Sequence, residues 1–244
     1  MEKYNRKIEL SERLSAVVSL VPMGGKVADV GCDHGFVSIY LVQNGIAERV
    51  IAMDVNEGPL NRAKENMEKE AEALGFKGKV TTRLSNGLEK LEPKEVDAIV
   101  IAGMGGDLMI AILEKEKEVT KELQMMILQP QTEVAKVRKY LILNGFSIEE
   151  EDMVCEDGKY YPMMKAVKKE SELPEELLLE YGPCLVANGH ACLKEYLLHR
   201  QEKNRKLLEH LEKEKTEKVS ARKEELRSQQ KQIEEVLKRM ISAE

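Results

Sequence analysis

The sequence predicts an α/β chain. A mostly parallel sheet covered by helices on both faces ends in an antiparallel strand and is followed by a C-terminal α-helical coiled-coil hairpin. Three observations lead there. Short apolar runs alternate with helical periodicity as far as Gly145, which is the pattern of repeated βα units. Two strand-like stretches then flank Asp157-Gly158, a hairpin signal. Finally, the stretch from Leu193 to Met240 contains neither Gly nor Pro and is dominated by charge.

Taken in order, Leu10, Leu14, Val17, Val18 and Val21 recur at helical spacing, with Ser11 as a candidate N-cap and Pro22 as the stop. Lys26 to Gly31 reads as a first strand and Ser38 to Asn44 as a helix. Arg49 to Val55 is a second strand, and Pro59 to Leu74 is a charged helix opened by its proline. Val80 to Leu84, Val96 to Ala102 and Gln124 to Leu128 are the third, fourth and fifth strands. Leu108 to Leu113 and Glu133 to Asn144 are helices. Ser147 to Glu156 and Tyr160 to Val167 form the hairpin. Composition changes after about Glu170, so the expected domains are residues 1–169 and 170–244. In the second, Leu193, Leu197, Leu207, Leu208, Leu211, Val219, Leu226, Ile233, Leu237 and Met240 form a narrow apolar stripe that suits a coiled coil. The polar run Glu212 to Lys218 is the expected bend, because one isolated helix buries little surface.

Of the 244 residues 42% are hydrophobic and only 4% aromatic, so the core must be aliphatic. Charged residues make up 34%, which calls for long solvated helical surface. No secretory signal and no membrane-length apolar run is present, and the four cysteines fall in no metal-ligand or disulfide pattern. A cytoplasmic, reduced, monomeric protein is expected, with no metal and no membrane partner. The net charge of −6 argues against broad nonspecific nucleic-acid binding, although a local basic patch remains compatible with it.

The chemistry gathers at strand ends. Asp29-Val30-Gly31-Cys32-Asp33-His34-Gly35 follows the first strand, where open α/β sheets bind ligands. A dinucleotide site would show Gly-x-Gly-x-x-Gly there to seat a pyrophosphate. This chain has Gly-x-x-x-Gly with acids at 29 and 33, which suits a cationic ligand such as the ammonium and sulfonium of S-adenosylmethionine. Asp54 ends the second strand, where a carboxylate can accept both ribose hydroxyls. Asn86-Gly87 follows the third strand, at a place for an adenine edge. Gly103-Met104-Gly105-Gly106-Asp107 follows the fourth and lets something flat approach the main chain. Each end alone has an ordinary reading as a cap, a turn or a flexible loop. Four in succession are hard to explain that way.

These residues resemble the class I methyltransferases. More closely, they resemble the bacterial tRNA adenine-N1 methyltransferases that act on adenine 22 of the D-arm. The matching pieces are Leu10 to Leu14, Asp29 to Gly35, Asn86-Gly87, Ile101 to Gly106, Leu128-Gln129-Pro130-Gln131, the strand at Lys159-Tyr160-Tyr161 and the helical C-terminal extension. The resemblance implies a Rossmann-like class I methyltransferase sheet, S-adenosyl-L-methionine as cofactor and tRNA as partner. The implied cofactor-binding residues are Arg13, Asp29, Gly31, Asp33, His34, Gly35, Asp54, Val55, Asn86, Gly87, Ala102, Gly103, Met104 and Gly105.

Many base-amine methyltransferases carry Asn/Asp-Pro-Pro-Tyr/Phe after the fourth strand. Here the glycine loop replaces it, and no aromatic is present to stack on the base. Tyr160 and Tyr161 are candidates for that contact, with core packing as their alternative, and Lys3, Arg6 and Lys7 are candidates for phosphate contacts. Asp107 is the candidate catalytic acceptor for the exocyclic amine, with a helix N-cap as its alternative. From Glu195 onward 13 Lys or Arg stand against 11 Glu, a mildly basic arm that can hold tRNA or serve as a solvated helical face. The fold alone also accommodates a methyltransferase of another RNA base or a small molecule, or a non-enzymatic cofactor-sensing scaffold.

Overall fold

The computed structural model describes residues 8–211 and 217–241. Its contacts divide the chain into two compact units, one running to Leu173 and the other starting at Pro174.

The first unit is built on seven strands: β1 (Lys26–Val30), β2 (Arg49–Asp54), β3 (Val80–Leu84), β4 (Ala98–Met104), β5 (Met125–Pro130), β6 (Phe146–Glu156) and β7 (Lys159–Lys168). Their order across the sheet is β3-β2-β1-β4-β5-β7-β6. The first five are parallel, and β7 runs antiparallel to both of its neighbours. The continuous burial along β1, β4 and β5 follows from this position, because a central parallel strand is covered on both faces. Asp157 and Gly158 turn the hairpin with φ of 51° and 72°, the left-handed pair that a two-residue connection requires.

Helices α1 (Glu12–Ser19), α2 (Phe36–Gln43) and α3 (Glu57–Leu74) supply one hydrophobic layer through residues such as Val17, Ile39, Leu41 and Ala63. Helices α4 (Gly106–Lys115), α5 (Lys117–Glu122) and α6 (Val134–Leu143) supply the other through Met109, Leu113, Val119, Val137 and Leu141. Ser11 caps α1, its hydroxyl accepting from the Leu14 amide at 3.3 Å. The sequence reading passed over α5, whose Val119 and Thr120 are too few to display a period. Thr120 donates its hydroxyl to the Leu113 carbonyl at 2.9 Å, docking this turn on the end of α4.

In the second unit α7 (Glu176–Tyr181) and α8 (Pro183–Ala187) precede α9 (Ala191–Leu211) and α10 (Glu217–Ile241). Leu226, Ile233 and Met240 are buried at seven-residue intervals on α10, with Val236 rather than Leu237 between them. Asn204 donates to Gln229 and Gln230 donates to the Gln201 carbonyl, both at 3.3 Å, so the two long helices pair antiparallel. This is the expected helical pair rather than one continuous rod. Residues 212–216 of the expected bend lie outside the described residues.

Arg138 on α6 and Glu151 on β6 form a buried ion pair, Nε to Oε1 at 2.7 Å, with both side chains at most 1% exposed. Removing one partner of such a pair strands the other charge away from water. Glu151→Ala is expected to lower unfolding free energy by about 3–5 kcal/mol in urea titrations. A loss under about 1 kcal/mol would mean that Arg138 finds equivalent partners.

Candidate functional site

One cleft of about 510 Å³ opens at the carboxyl ends of the central strands. It lies where the strand order turns back on itself, β1 having β2 on one side and β4 on the other.

The loop after β1 is pinned to the neighbouring strand: the Gly31 and Cys32 amides both donate to the Met53 carbonyl, at 2.8 and 2.9 Å. Gly31 has a φ of 75°, and a Cβ there would lie 2.2 Å from the Met104 methyl group. The left-handed backbone therefore favours glycine, and a side chain there would also have to displace the end of Met104. Asp33 also adopts a left-handed conformation, with φ of 48°. Its amide donates to Asp54 Oδ2 at 3.3 Å, while Asp54 Oδ1 accepts from the Asn56 amide at 2.8 Å. Two main-chain donors thus fix the Asp54 carboxylate at the end of β2.

Asp29 and Asp54 are 5% and 8% exposed, and neither is paired with a Lys or Arg among the described residues. The buried hydroxyl of Ser38 on α2 donates to Asp29 Oδ2 at 2.6 Å. Burial pushes the Asp29 carboxyl up to about 6; the Ser38 hydrogen bonds pull it down and the Asp54 charge adds a further push. The same burial and the neighbouring acids raise the Cys32 thiol, which stays protonated and unreactive at neutral pH.

The far side of the cleft is held by a buried amide. Gln129, fully buried at the end of β5, accepts on Oε1 from Arg13 Nη1 at 2.8 Å and from the Gly103 amide at 3.1 Å. Arg13 also lies over the Tyr161 ring, 5.5 Å from its centroid, and its amide donates to Glu156 at 3.1 Å. That bond and the Ser11 hydroxyl hold the Glu156 carboxyl below its ordinary value. At Gly103, φ is 79° and nothing approaches within 3.7 Å of a built Cβ, so the space above this main chain belongs to the cleft.

Of the sequence-derived cofactor candidates, all except Gly35 and Gly105 line the cleft. Those two are the N-caps of α2 and α4. Asp107 is not brought to the cleft. It lies in the first turn of α4 without capping it, and its carboxylate is 73% exposed and 3.4 Å from Lys136. Tyr160 and Tyr161 do not line the cleft either; Tyr161 packs against the core beneath Arg13. Lys3, Arg6 and Lys7 lie outside the described residues. The aromatic that does line the cleft is Phe36, 42% exposed and stacked on His34 at 5.8 Å. The sequence reading starts the helix at Ser38 and passes over Phe36. Gln129 and Gln131 were also missed as site residues, though two Gln flanking Pro130 at an apolar strand's end were a signal. Among the described residues no group of three His, Cys, Asp or Glu is placed to share a metal ion.

A family described as "Methyltransferase domain" matches residues 10–164, which cover both walls of this cleft. The chain belongs to that methyltransferase family. The tRNA (adenine(22)-N(1))-methyltransferase of Bacillus subtilis is 36% identical over 160 residues, covering 66% of this chain and 66% of that protein, just under two thirds of its length. The Streptococcus pneumoniae protein Sp1610 in complex with S-adenosyl-L-methionine superposes with a TM-score of 0.80 at 32% identity, covering 94% of this chain and 100% of that one. M. capricolum TrmK in complex with S-adenosyl-homocysteine gives a TM-score of 0.79 at 29% identity, covering 95% and 99%. The methyltransferase fold read from the sequence is therefore the observed one.

The buried acid of this methyltransferase has a stability consequence. The native Asp29 carboxyl holds its proton to about pH 6, against 3.8 for an ordinary one. Stability from this group is thus fully present at low pH and is lost as pH rises through that window. Asp29→Asn, still able to accept from Ser38, is expected to be more stable than the parent without ligand at pH 7.5, by about 1–3 kcal/mol. The gap should narrow at pH 4.5 in thermal denaturation. A variant less stable than the parent at pH 7.5 would contradict this.

Proposed function

We propose that this protein is a tRNA methyltransferase that transfers a methyl group from S-adenosyl-L-methionine to N1 of adenine 22. The observation that carries the reading is the pair of buried carboxylates, Asp29 and Asp54, left without a positive partner in a cleft of ligand size. Buried charges are ordinarily paired. A ligand bearing an ammonium and a sulfonium supplies what the protein omits, and the ribose of the same ligand suits a carboxylate fixed at a strand end. Similarity to the B. subtilis protein named as an adenine-22 methyltransferase, to Sp1610 in complex with S-adenosyl-L-methionine and to M. capricolum TrmK in complex with S-adenosyl-homocysteine supports the same reading.

When bound, S-adenosyl-L-methionine supplies an electrophilic methyl group. The residues of this chain do the rest by placement. Asp54, oriented by the Asp33 and Asn56 amides, holds the ribose; Asn86-Gly87 borders the adenine; Asp29 faces the cationic methionyl end. Gly103 leaves room for the acceptor base, and Arg13 closes that end of the cleft on Gln129. Adenine N1 has a free lone pair, so no base has to act before attack and alignment supplies much of the acceleration. N1 is hidden in a base pair, so the nucleotide must be unpaired or extruded. Phe36 is the exposed aromatic available to stack on it.

We assign catalysis to the unit ending at Leu173 and a tRNA-holding role to the helical unit, whose stretch from Glu195 onward is mildly basic. The enzyme is read as a cytoplasmic monomer, in keeping with its four free thiols. Among the described residues no helix is long and apolar enough to cross a membrane.

Incubating the protein with unmodified bacterial tRNA and isotopically labelled cofactor, then mapping the product, tests the assignment. One N1-methyladenosine at position 22 is expected. Methylation of another base, or label transfer only to small molecules, would replace the proposed substrate.

A further inference from the structure

The cleft has two ends, and the strand order distinguishes them. Asp54 on β2 and Asn86 after β3 lie on one side of β1; Gly103 on β4 and Gln131 after β5 lie on the other. With the ribose and adenine of the cofactor on the β2–β3 side, the acceptor base is left the β4–β5 side. There β4 and β5 lose register between Ala102 and Met104, the kind of irregularity that re-aims side chains near active sites. The Gln131 amide donates to the Met104 carbonyl at 2.9 Å, which fixes this residue against the glycine loop. Its side chain is exposed, lines the cleft, and has its Nε2 3.8 Å from a Cβ built at Gly103.

The two glutamines flanking Pro130 differ in what they have left to offer. Gln129 is buried and engaged with Arg13 and Gly103. Gln131 makes no side-chain hydrogen bond among the described residues, so its amide oxygen and amide N–H are both available to a ligand.

We propose that Gln131 recognises the acceptor adenine through its N6/N7 edge. Oε1 accepts from the exocyclic amine and Nε2 donates to N7. This inference rests on the methyltransferase reading above and adds the base reader to it. A protein that methylates N1 has to grip adenine without covering N1. The N6/N7 edge is the one that a side-chain amide matches with both of its groups while N1 stays open. Guanine presents two acceptors on that edge and faces Oε1 with a repulsive carbonyl, so the same contact rejects it. As N1 gains its methyl group the ring becomes cationic and the exocyclic N–H becomes a stronger donor. The hydrogen bond to Oε1 therefore tightens in the transition state.

The test compares the parent with Gln131→Ala and Gln131→Glu on two tRNAs, one with adenosine and one with 7-deazaadenosine at the target position. The parent is expected to lose about 5- to 150-fold in kcat/KM on the 7-deaza substrate, the range of one bidentate side-chain contact to a base. Gln131→Ala should lose a similar factor on adenosine and under threefold more on 7-deazaadenosine, with cofactor affinity unchanged. Gln131→Glu is nearly isosteric and keeps the acceptor without the donor. It should fall on adenosine, where its second oxygen faces the N7 lone pair, and lose nothing further on 7-deazaadenosine, where that repulsion is removed. Losses that multiply in either variant, or a Gln131→Ala enzyme equal to the parent on adenosine, would overturn the proposal. A parent that does not methylate adenosine N1 would instead overturn the broader reading.

Discussion

The whole site depends on β1 lying between β2 and β4 in parallel register. Asp29 stands beside Ala52 on one side and Val100 on the other, and Val30 beside Met53 and Ile101. β1 and β2 therefore end within one residue of the same level, β4 runs three residues further, and the chain leaves them in three separate loops. Asp54, Gly31, Gly103 and the acids around them share a cleft because of that registration, although they are far apart in sequence. The Met53 carbonyl, accepting two amides of the β1 loop, makes the registration specific. The β5 and β7 neighbours extend it outward, with Gln129 and Tyr161 beneath Arg13.

Such a site works against the stability of the protein that carries it. Asp29 is an acid buried in the core face of the sheet, relieved by hydrogen bonds from the Ser38 hydroxyl and main chain, with a second buried acid close enough to raise it further. A hydrophobic residue there would fold more readily. The residue makes physical sense as half of an ion pair whose other half arrives with a ligand. Gln129 resolves the opposite problem: its buried carbonyl oxygen is satisfied by two donors at once, an arginine and a main-chain amide, so the glycine loop is held without a charge in the core.

The sheet was legible in the sequence because the buried parallel strands are mostly apolar runs, β1 being interrupted by Asp29, and the alternation of runs with helices leaves little choice of architecture. The acids and glycines at strand ends were legible for the same reason, since the ends of such runs mark the ligand edge. Side-chain direction was not. Asp107 and Phe36 each stand close to a glycine turn. Which one faces the cleft depends on how α2 and α4 dock, a tertiary matter that spacing does not encode. Tyr161 was an attractive stacking partner by type, yet its place on β7 puts it beneath Arg13. Gln131 stood in a family-matching stretch, but its type and spacing do not say that an exposed glutamine after a proline lines the cleft. Its place on the cleft wall beside Gly103 emerges only once β4 and β5 lie side by side.

The central claim is that a positively charged ligand completes the buried acids. Proton release on cofactor binding measures this most directly, by calorimetry of S-adenosyl-L-methionine binding in buffers of different ionisation enthalpy. Near pH 6 part of the Asp29 population is protonated in the free protein, and a bound cation lowers the affinity of that carboxyl for its proton. Net proton release near pH 6, fading by pH 8 and absent in Asp29→Asn, is the predicted result. Binding without proton release near pH 6, or the same release from Asp29→Asn, would contradict it.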